Sequence, residues 1–163
     1  MPLKQGSNIM KLPGYSIYFL GRIFIGLVFA YSGYTKLMEP VENFRGVMAS
    51  YEIIPYAVIP ILAPVIPWIE FVFGAFMILG FQSRASAFVL ASMSFSFVVL
   101  ILITRIVTGA LPADCGCFGE GSIIHLTPMQ VLFLDIFNTV MGIRLALYRN
   151  HLFSVDFILN KKD

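Results

Sequence analysis

The chain has 163 residues, of which 58% are hydrophobic and 12% charged, and its formal net charge is +2. Its mean hydropathy is +0.85. A soluble domain is nearer half apolar and about a quarter charged, and so small a charge gives no footing for nucleic acid. The composition points to an integral membrane protein built without a soluble domain.

The opening stretch, MPLKQGSNIMKLPG, sets two lysines ahead of an apolar run from about Tyr15 to Tyr34. That run is longer than a signal-peptide core and no clear small-x-small cleavage pattern follows it. It reads as an uncleaved first span, over about Tyr15–Lys36. The connection after it, PVENFRGVMASYEIIPY, repeats Val41, Phe44, Val47 or Met48, and Tyr51 at helical spacing. This predicts a short amphipathic helix, either a cap on the bundle or a docking surface.

Span 2 is expected over about Pro60–Leu79, followed by Gly80 and the loop FQSR; span 3 covers about Ala85–Val107. Span 4 runs from about Thr127 to Tyr148, with Thr127 as N-cap and Pro128 in the first turn. Each span is long enough to cross a hydrocarbon core of roughly 20 helical residues. Backbone facing lipid must satisfy its own polar groups, so helices are the default. The fold class is all-α: an integral membrane four-helix bundle with a short amphipathic helix in the first outer connection. Residues 1–14 and 151–163 are expected to be cytoplasmic segments flanking a four-span domain over 15–150.

The basic residues give the orientation. Lys4 and Lys11 precede span 1, Arg84 separates spans 2 and 3, and Arg149, Lys161 and Lys162 follow span 4. Between spans 3 and 4, TGALPADCGCFGEGSIIHL holds no lysine or arginine. Both termini are therefore expected in the cytoplasm of an inner-membrane protein, and both longer connections outside.

Every span carries an ionisable residue, and charge at membrane depth is costly and turns inward. Arg22 shares a helical face with Gly26 and Gly33, Glu70 with Ala63 and Gly74, Arg105 with Ala87, Ala91 and Ser94, and Asp135 with Asn138 and Gly142. Such small residues permit close helix contact. Lys36, Glu70, Arg105 and Asp135 are expected to gather in the outer half, as helix-holding ion pairs or as a site for protons or a ligand. Arg22 and Arg144 belong toward the cytoplasmic side, where they can snorkel to the headgroups.

Both cysteines of the chain sit in DCGCFG, as Cys115 and Cys117. A disulfide across one residue is a small bent ring that departs from preferred geometry and is easily reduced. It closes almost no loop, so it stabilises little. Redox exchange on the oxidising side fits such a pair; metal capture by Cys115, Cys117 and His125 is the alternative. No second cysteine pair exists to relay electrons. The pair then either shuttles between two external partners or has a non-thiol acceptor, for which quinone is the natural candidate in a membrane.

GRIFIGLVFAYSGYTKL (21–37), YEIIP (51–55), PWIEFVFGAFMILG (67–80) and DCGCFG (114–119) together resemble the DoxX/MauE group of four-span membrane proteins. The order of Arg22, Lys36, Tyr51, Glu70 and then DCGCFG resembles its MauE-like branch. That branch is associated with methylamine utilisation, where it is thought to assist disulfide formation in a cysteine-rich periplasmic subunit alongside a thioredoxin-like partner. Other DoxX relatives are linked to thiosulfate oxidation with electrons passed to quinone. The resemblance implies that Cys115 and Cys117 are the redox pair, with Arg22, Lys36 and Glu70 at framework positions. The expected function is a membrane thiol–disulfide oxidoreductase. Its rivals are a non-enzymatic anchor or maturation subunit that captures metal, and a quinone-linked subunit in which the cysteines are incidental.

Overall fold

The computed structural model describes residues 13–51, 53–109, 111 and 126–147. Cys115, Cys117 and His125 lie outside the described residues, as do residues 1–12 and 148–163. Among the described residues five helices follow one another: α1 (Pro13–Met38), α2 (Val41–Ser50), α3 (Ile59–Leu79), α4 (Ser83–Thr108) and α5 (Pro128–Leu147). All except α2 are long and apolar enough to span a membrane. No strand occurs among the described residues, and the expected all-helical bundle is what the chain forms.

Local signals set the helix ends. Pro60 sits in the first turn of α3, where a missing N–H costs nothing. Gly80 ends the helix in the left-handed region at φ 73° and returns its N–H to the Phe76 carbonyl. At the start of α5, the Thr127 N–H donates to Gln130 Oε1 at 2.9 Å, the return half of a capping box.

The bundle is two tight pairs. α1 lies on α3 and α4 on α5, while contacts between the pairs are much sparser. Both pairs are antiparallel: Gly26 meets Gly74 and Ile78 while Gly33 meets Phe71 and Pro67, and Gly142 meets Ala87 and Ala91 while Arg84 reaches Ala146. Glycine permits the first pairing. A Cβ on Gly33 would stand 2.5 Å from the Phe71 nitrogen, and one on Gly74 2.5 Å from the Ala30 nitrogen. Only bare backbone fits so close an approach.

α2 closes one end. Its Phe44 and Met48 are buried with Ile59 and Ala63 of α3, so the amphipathic helix caps the bundle and its apolar face is already covered. Tyr51, buried just after α2, meets Phe97 of α4 edge-on at 6.2 Å and ties the cap to the second pair. At the far end Arg84 Nε donates to the Ala146 carbonyl at 3.1 Å, using an orphan acceptor of the last α5 turn.

Candidate functional site

The seam between the two helix pairs holds a partly open cavity of about 760 Å³. α2 roofs it through Phe44, Met48 and Tyr51, and all four long helices contribute walls. It occupies the half of the bundle where α1 and α4 end and α3 and α5 begin. This is the end to which the segment holding Cys115 and Cys117 is attached.

One wall carries an ion pair. Lys36 lies in the last turn of α1, and Glu70 lies midway along α3 on the face that buries Ala63 and Gly74. Lys36 Nζ donates to Glu70 Oε2 at 2.8 Å, to Glu70 Oε1 at 3.0 Å and to Ser32 Oγ at 3.1 Å. Ser32 Oγ in turn donates to Glu70 Oε2 at 3.0 Å. Both charged side chains are almost wholly buried, and the ammonium also stands 4.9 Å from the Phe44 ring centre. With three N–H···O contacts, the donors of Lys36 are fully engaged.

The opposing wall belongs to the second pair. Asp135 and Asn138 lie one turn apart on the buried face of α5, and Ser94 faces them from α4. Asp135 is within electrostatic reach of both Lys36 and Glu70, so three ionisable groups meet across the seam. Asn138 is 2% exposed, yet neither its side-chain nitrogen nor its oxygen has a hydrogen-bond partner. A buried amide in that state forfeits roughly 1–3 kcal/mol for each orphan group.

Lys36, Glu70 and Asp135 are therefore gathered as expected, and Arg105 is not. Arg105 is exposed; beside it, α4 buries Ile101 and Thr104 instead. Its guanidinium bonds the Gly109 carbonyl and so caps its own helix. The last turn of α4 offers a row of orphan carbonyls and the negative end of the helix dipole, which hold the cation there. Arg22 is buried on α1 with its guanidinium 5.3 Å from the Phe19 ring centre. It lies fourteen residues from Lys36, about 20 Å along a helix, and takes no part in the cluster. Arg144 is exposed near the same far end.

Ser32, Ser94 and Asn138 complete the site without having been singled out as functional from sequence. Ser32 stands four residues before Lys36, and Asn138 three after Asp135. Those spacings put each beside a buried charge on the same helix.

The sequence pattern of the family described as methylamine utilisation protein MauE matches residues 15–149, the whole bundle. The chain belongs to the MauE family. It is 28% identical over 100 residues to a methylamine utilization protein MauE of Paracoccus denitrificans, covering 61% of this chain and 53% of that protein. With a methylamine utilization protein MauE of Methylophilus methylotrophus it shares 29% over 126 residues, 76% of this chain and 60% of that protein. The chain thus spans between half and three fifths of these MauE relatives. No solved structure shows a significant match. As a MauE-family protein with four apolar spanning helices, it resides in a lipid bilayer.

Proposed function

We propose that this protein is a membrane thiol–disulfide oxidoreductase whose redox pair is Cys115 and Cys117. The observation that carries the proposal is the placement of the chain's only two cysteines, one residue apart, between two spans of a MauE-family bundle. A disulfide in so small a ring is strained and readily reduced, so it serves as an oxidant of its partner. A thiolate of an extracytoplasmic thioredoxin-like protein attacks one sulfur of the Cys115–Cys117 disulfide, giving a mixed disulfide and one free thiolate on this chain. The partner's second thiolate then attacks its own mixed-disulfide sulfur. The partner leaves oxidised, and Cys115 and Cys117 remain as two thiols. Asp114 opposes thiolate formation at its neighbour, which favours Cys117 as the nucleophile in the reverse direction.

Reoxidation removes two electrons and two protons from this pair, and the chain has no further cysteines to accept them. A membrane quinone would take up both and become the quinol. The orientation with both termini cytoplasmic puts the pair outside an inner membrane, consistent with Arg22, Arg84 and Arg144 at the end away from α2.

Cys115→Ala and Cys117→Ala variants, expressed in membranes with periplasmic proteins present, test the proposal after acid quenching and non-reducing electrophoresis. A mixed disulfide with a thioredoxin-like protein in one variant is the expected result, identified by mass spectrometry. Absence of any adduct in both, with wild-type thiols inert to oxidant and reductant, refutes exchange and favours metal capture by Cys115, Cys117 and His125.

A further inference from the structure

The cavity is not sealed within the bundle. Where α3 and α4 pass one another its lining includes residues that also face outward: Val58 just before α3 and Leu62 within it, each 37% exposed, and Phe88 of α4, 65% exposed. Ser92 and Ser96 line the same opening and are exposed. Their hydroxyls donate to the Phe88 and Ser92 carbonyls at 2.8 and 2.9 Å, so neither presents an unpaired polar group to lipid. The opening is in the membrane-facing surface of two spanning helices. Whatever enters by it arrives from the bilayer.

The inner end selects among bilayer molecules. A phospholipid headgroup carries a phosphate and needs a free cation. The cation lining this cavity, Lys36, has spent its donors on Glu70 and Ser32. Among the described residues lining it, the unpartnered groups are the Ser94 hydroxyl and the Asn138 amide, whose nitrogen donates and whose oxygen accepts, all buried. They complement an uncharged ring bearing oxygens that accept hydrogen bonds when oxidised and donate them when reduced. The volume falls within the roughly 300–1,000 Å³ of pockets that hold organic ligands.

From this geometry we infer that the seam between the helix pairs is a binding site for an isoprenoid quinone, its ring at Asp135 and Asn138 and its tail leaving between α3 and α4. The inference rests on the proposed thiol chemistry for its redox purpose but not for its geometry. Asn138 is a binding group in this site. The Lys36–Glu70–Ser32 cluster on the facing wall holds it open and keeps it free of unpaired positive charge.

Titration of decyl-ubiquinone into the full chain in nanodiscs, corrected against empty discs, tests the site by calorimetry. Wild-type protein and the Cys115→Ser/Cys117→Ser variant are expected to bind alike. Asn138→Leu, which preserves volume but removes both polar groups, weakens binding about tenfold or more, the loss of one or two hydrogen bonds. Ser92→Trp, on the exposed side of the opening, plugs the entry without touching the core and lowers affinity similarly. No binding above empty discs overturns the site. So does unchanged affinity in both Asn138→Leu and Ser92→Trp, or a phospholipid that decyl-ubiquinone fails to displace. Because binding is read without turnover, its success beside a failed adduct trap would remove the thiol reading alone, and its failure beside a successful trap would remove this site alone.

Discussion

Replacing Lys36 by Met keeps most of the side-chain volume and removes the ammonium. Three N–H···O contacts at 2.8–3.1 Å disappear, and Glu70 keeps Ser32 as its hydrogen-bond donor in the cluster. Breaking a buried pair by removing one partner costs about 3–5 kcal/mol, because an uncompensated charge remains. Glu70→Leu is expected to cost a similar amount by stranding Lys36. Independent sites would sum to roughly 6–10 kcal/mol in the double variant. Replacing both charges with apolar groups instead leaves nothing to desolvate and is often neutral or even stabilising. Lys36→Met/Glu70→Leu should therefore be no less stable than the worse of the two single variants. Unfolding midpoints in mild detergent, followed by far-ultraviolet circular dichroism, supply the four corners of the cycle. A double variant destabilised by the full sum of the singles would refute the claim that the pair acts as one unit across α1 and α3.

Gly33→Ala should lower stability by about 1–3 kcal/mol, because its Cβ meets α3 backbone at 2.5 and 2.6 Å. Gly46→Ala on the exposed face of α2 meets nothing within 4 Å and should raise it by roughly 0.5–1 kcal/mol; the same thermal melts check both. Arg105→Ala should leave quinone affinity unchanged and cost under about 1 kcal/mol of stability, since the side chain is exposed and caps only its own helix. A large loss of affinity in Arg105→Ala would return that residue to the site.

The four spans were legible because uninterrupted apolar length is the strongest signal a membrane chain gives. Pro60 and Gly80 frame α3, and Thr127–Pro128 mark the start of α5, by local chemistry that needs no tertiary context. Partner choice was less legible. Gly26, Gly33 and Gly74 announce close contact, but small residues occur on faces of every span, and nothing local says that α1 seeks α3 while α4 seeks α5. Arg105 shows where helical-face reasoning fails. Eleven residues from Ser94 it returns to nearly the same angle, yet α4 has by then reached its last turn. There carbonyl acceptors of the helix itself compete for the guanidinium. Asn138 was seen on a contact face, but its unpartnered state depends on what α4 places opposite, and that is a tertiary fact.

The pairing of α1 with α3 also constrains how the protein enters the bilayer. During synthesis α1, which carries Lys36, emerges before α3, while Glu70 is still to be made. A lone ammonium within a span is costly, and the carboxylate that offsets it arrives with α3. Pairing of Lys36 with Glu70 therefore favours α1 and α3 settling against each other as a unit. The same pair that frames the cavity thus also matches α1 to α3.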